Sequence, residues 1–60
     1  MVVKFNDNSN DMILEVEKLE NSVSFFVYQH GEEQVGQFIE LPLSEVQNLL
    51  KHLQSTQLYQ

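Results

Sequence analysis

Two alternating stretches joined by a two-residue turn constrain most of what this 60-residue chain can become. "MILEVEKL" (residues 12–19) sets Met12, Leu14 and Val16 on one side and Glu15 and Glu17 on the other. "SVSFFVYQ" (residues 22–29) sets Val23, Phe25 and Val27 on one side and Phe26 and Tyr28 on the other. A period of two marks a strand with two distinct faces. Glu20-Asn21 lies between the stretches, and Asn tolerates the positive φ of a tight hairpin turn. A turn there places Val16 opposite Phe25 and Leu14 opposite Val27, so the apolar sets share a face.

The flanking segments extend this hairpin. "VVKF" starts a strand over residues 2–6, and "NDNSND" supplies turn residues after it. A turn at Asn8-Ser9 would pair Phe5 with Met12 and Val3 with Leu14. "HGEE" turns again, and "QVGQFIEL" (34–41) predicts a fourth strand. Pairing Val27 with Val35 there needs a bulge or a three-to-five-residue loop. Pro42 stops that strand because it cannot donate to a ladder. Ser44 is an N-cap candidate with Gln47 three residues on. Val46, Leu49, Leu50 and Leu53 then recur at helical spacing, predicting a helix over 44–55 and a tail over 56–60. The expectation is one α+β domain over 1–60: a four-stranded antiparallel β-meander with one C-terminal helix packed on one face (ββββα).

In that fold an inner face carries Val3, Phe5, Met12, Leu14, Val16, Val23, Phe25, Val27, Val35, Ile39 and Leu41. A helix about 10 Å wide over a sheet roughly 14 Å wide nearly covers it. The outer face holds Val2, Ile13, Phe26, Tyr28 and Phe38, with Phe26 expected opposite Gly36, and Glu15, Glu17 and Glu40 flanking. A solvated face does not need aromatics, and an apolar patch of this kind marks an interface. These eight residues are the candidate interaction surface. Leu58 and Tyr59 in the tail are the intramolecular alternative for covering it.

Composition narrows the chemistry. There is no cysteine, which removes disulfides and thiolate zinc sites. Nine acidic residues against three lysines give a net charge of −6. Phosphate binding needs the opposite charge, and an acidic surface favours basic partners. No stretch approaches a membrane span, and "MVVKF" enters strand pattern without a signal-peptide core. A cytoplasmic location is the default expectation.

No catalytic, metal or cofactor residue is expected. "DNSND" (7–11) begins like a calcium loop, but Met12 and Lys18 stand where that loop needs Gly and Glu. The spacing around His30 and His52 matches no metal-ligand or triad pattern. Glu15 and Glu17 share a strand face, whereas hydrolytic carboxylate pairs flank a cleft. Gly31 and Gly36 are isolated and form no phosphate loop.

The stretch "VSFFVYQHGEEQVGQFIELPLSEVQNLLKHL", with Gly36, Ile39, Leu41 and Ser44, resembles the C-terminal half of the transcriptional coactivator PC4 family. The resemblance implies a ββββα fold, dimerisation partly through helices, and single-stranded DNA binding on a basic, aromatic-bearing sheet. The basic residues are absent from this chain. The expected function is therefore a non-enzymatic, acidic protein–protein interaction module. It would be homodimeric, of the kind found among phage and bacterial regulators and inhibitors, and would dock on a basic surface of a target. Single-stranded nucleic-acid binding on the outer aromatics is the alternative.

Overall fold

A computed structural model describes residues 1–57, so Leu58 and Tyr59 lie outside the described residues. The Glu20-Asn21 turn forms, with the Leu19 amide donating to the Ser22 carbonyl at 2.8 Å, but without the positive φ expected of Asn21. On either side run β2 (Met12–Lys18) and β3 (Ser22–Gln29). Val16 faces Phe25 and Leu14 faces Val27, the expected register. With β1 (Val2–Asp7) and β4 (Gln37–Pro42) they make one antiparallel sheet in the order β1-β2-β3-β4. The helix α1 (Leu43–Gln57) follows, completing the ββββα fold.

The first connection is longer than a two-residue turn. Asp7 organises it by accepting from the Ser9 amide (3.2 Å) and the Asn10 side-chain amide (2.8 Å), while its carbonyl accepts from the Asn10 amide (3.3 Å). Asp11 closes it at φ 56, a conformation that Asp tolerates better than most residues. The longer turn moves the register by two, to Phe5 opposite Leu14 and Val3 opposite Val16. A two-residue shift keeps every side chain on its expected face.

The third connection also departs from expectation. Gly31 sits at φ 86, and the Glu32 amide donates to the Gln29 carbonyl at 2.8 Å. Glu33–Val35 then form a 3-10 turn rather than the start of a strand. This lifts Val35 out of the ladder and leaves it 66% exposed, not in the core. β4 therefore starts at Gln37, which pairs with Val27, and Phe26 faces Phe38 instead of Gly36.

The helix corrects the largest expectation. α1 begins at Leu43, directly after Pro42, the last residue of β4. Ser44 thus lies inside the first helical turn. With no loop between edge strand and helix, the helix axis starts at the sheet edge. Its backbone comes within 8 Å (Cα to Cα) of β3 and β4 but not of β1 or β2. Leu43 and Val46 are half-buried, whereas Leu49, Leu50 and Leu53 are exposed. The inner face is not roofed: Val3, Phe5 and Ile39 stand open, the last two 53% and 55% exposed. Only Val23, at the β3 end nearest the helix, and Tyr28, on the other face, are buried among the apolar residues described.

Candidate interaction surface

Alternation and register put all eight candidate residues on the outer face. Across the sheet, one row reads Val2, Glu17, Ser24 and Glu40. The next reads Lys4, Glu15, Phe26 and Phe38, and the third pairs Asn6, Ile13 and Tyr28. The sheet therefore gathers side chains from residues 2 to 40 into one patch, as expected.

The patch is divided in use. Tyr28 is only 3% exposed. Its ring lies 5.1 Å from that of Phe26, and its hydroxyl donates to Glu15 Oε2 at 2.6 Å. Lys4 Nζ lies 3.8 Å from the same carboxylate oxygen. The chain after the 3-10 turn crosses over Phe26. A methyl group built on Gly36 would sit 2.5 Å from Phe26 Cε1 and Cζ. Glycine is thus what lets backbone lie on an aromatic ring here. Phe26, Tyr28 and Ile13 form a small core of their own, closed by the Gly31–Gly36 connection. Sequence spacing pointed to this ring-over-glycine contact through a different register.

What remains open on the outer face is its β4 side and one end. Phe38 is 64% exposed, Glu40 is exposed, and Val2 is exposed at the β1 edge. Ser22 Oγ donates to Glu40 Oε2 at 2.5 Å, holding that carboxylate against the sheet. Glu17 and Glu40 flank Ser24 in the row beside Phe38. The result is an exposed ring bordered by the held Glu40 carboxylate.

The Tyr28–Glu15 contact has a measurable consequence. The hydrogen bond to Glu15 pushes the Tyr28 hydroxyl up to about 12, aided by burial and by the charges of Glu15 and Glu33. The protonated phenol is the form the fold holds. This contribution to stability is therefore present below pH 10 and is lost as pH rises through about 12. In a Tyr59→Phe variant, absorbance titration at 295 nm should show Tyr28 ionising well above an ordinary tyrosine. An ordinary titration near pH 10 would show that the hydroxyl is not held by Glu15.

Among the described residues no group of three or more His, Asp or Glu side chains is placed to hold a metal ion. Asp7 spends its carboxylate on its own turn. No described helix is long and apolar enough to cross a membrane. What sequence reasoning missed is the second open surface, the uncovered inner face. The direct joining of Pro42 to Leu43 was its available signal. Comparisons with family models, curated proteins and solved structures return no match for the chain.

Proposed function

We propose that this chain is a non-enzymatic interaction module whose outer face docks on a basic surface of another protein. The observation that carries the reading is Phe38, an exposed aromatic ring beside Glu40 on the same strand, in a chain of net charge −6. Buried aromatic anchors supply most of the energy of protein interfaces, and surrounding charges steer the encounter and select the partner.

Nucleic acid fits this surface less well. Stacking needs free ring faces and a cationic groove. Tyr28 is buried, Phe26 lies under Gly36, and Lys4, the cation of this face, neighbours Glu15.

A photoreactive benzophenone side chain at position 38, used in an extract of cells expressing the protein, should link to proteins of high isoelectric point. Phe38→Lys combined with Glu40→Lys should weaken that capture by at least about tenfold, the loss of one anchor residue. Equal capture by wild type and double variant would refute the reading. So would salt-sensitive binding of a labelled single-stranded oligonucleotide at micromolar protein.

A further inference from the structure

The inner face calls for a different occupant, independent of the outer-face reading. Its rows run from Asp7, Met12 and Gln29 at one end to Lys18, Val23 and Leu41 at the other. Between them it is aliphatic and aromatic apart from Gln37, with shallow grooves lined by Phe5, Leu14, Phe25, Val27 and Ile39. Glu15, Glu17 and Glu40 all lie on the opposite face. In a strongly acidic chain this surface bears charge only at its two ends. A basic partner would find only the Asp7 carboxylate there, itself engaged in its own turn, whereas a second copy could approach without bringing Glu15, Glu17 and Glu40 into contact.

The areas agree. The accessible surface is 5074 Å², while a folded monomer of 7.0 kDa typically exposes about 4,000 Å². The excess is close to the roughly 800 Å² that each partner loses in a stable complex. The radius of gyration is 13.3 Å, against about 10 Å for a compact 60-residue domain. The molecule is a slab 36 × 31 Å across and 17 Å thick. Its wide face is large enough to supply such an interface.

We infer that the inner face and the exposed leucines of α1 form a self-complementary surface that pairs with a second copy of this chain. A two-fold arrangement would use the same patch on both protomers. It would bury Phe5, Ile39 and Leu50, and leave Phe38 and Glu40 outside on both.

Adjacent residues of β4 make the test. Sedimentation equilibrium of the purified protein, from micromolar to millimolar, should give twice the chain mass. Ile39→Glu and Leu50→Glu should each return the mass to one chain, whereas Phe38→Glu should not. Both positions are more than half exposed in the single chain, so a glutamate there leaves the fold intact by circular dichroism. A benzophenone side chain at position 39 should cross-link to a second copy, and one at position 38 should not. This arm decides the matter if a charged variant unfolds. A single-chain mass at every concentration would overturn the inference, as would a dimer dissociated by Phe38→Glu but not by Ile39→Glu. A dimer failing at position 39 while basic proteins are not captured at position 38 would leave the inner face assigned and the outer-face reading refuted.

Discussion

Gly36→Ala should destabilise the protein by about 1–3 kcal/mol, the usual cost of forcing extra volume into a packed site. For a domain of this size that is a fall in Tm of roughly 8–24 °C. The backbone is not the reason, because φ −74 and ψ 171 suit any residue. The reason is distance. The new methyl group would stand 2.5 Å from two carbons of the Phe26 ring and 2.8 Å from the Val27 carbonyl oxygen. The ring can tilt, but the carbonyl belongs to β3 and moves only with the sheet. Much of the penalty should disappear in a Phe26→Leu background, since neighbours in contact are non-additive. Thermal melts of the four proteins in that cycle measure it. A Gly36→Ala variant as stable as wild type would mean that the 31–36 connection does not lie on the ring.

A hundredfold rise in protein concentration should raise Tm by about 10 °C, as mass action requires when two 60-residue chains unfold together. The physical basis is the thin core of the single chain. Val23 and Tyr28 are its buried apolar residues among those described, and Phe5, Ile39 and Leu50 contribute little where they stand. Burial stabilises by about 25 cal/mol per Å² of apolar surface removed from water, so pairing would supply much of what the monomer lacks. Calorimetry of wild type and Leu50→Glu at several concentrations tests this. The variant should melt at a concentration-independent temperature. A wild-type Tm that ignores concentration would show that the single chain is stable alone.

Much of this architecture could be read from residue order. The β2–β3 register followed from Glu20-Asn21, because a two-residue turn leaves one pairing that matches apolar to apolar. The β1–β2 register was off by two, since Asp7 recruits Ser9 and Asn10 into a longer turn. Alternation cannot see such a slip, because an even shift preserves faces. Val35 was misplaced because its apolar character matched a strand, while Gly31 and the following 3-10 turn took it out of the ladder. The outer-face patch was legible as a set. How much of it stays available was not, because the covering comes from backbone at Gly36.

The sequence by itself determined the element order, which residues share each face, and the separation of carboxylates from aliphatic side chains. These follow from the period of two in strands and the charge at each position. Only the tertiary structure decided which apolar face is left open. Alternation reports that a side chain points toward a face, not whether anything arrives to cover it. The Gly36 backbone closes over Phe26 and Tyr28, while α1, joined to β4 without a loop, stops short of β1 and β2. The face expected to be core is thereby left exposed.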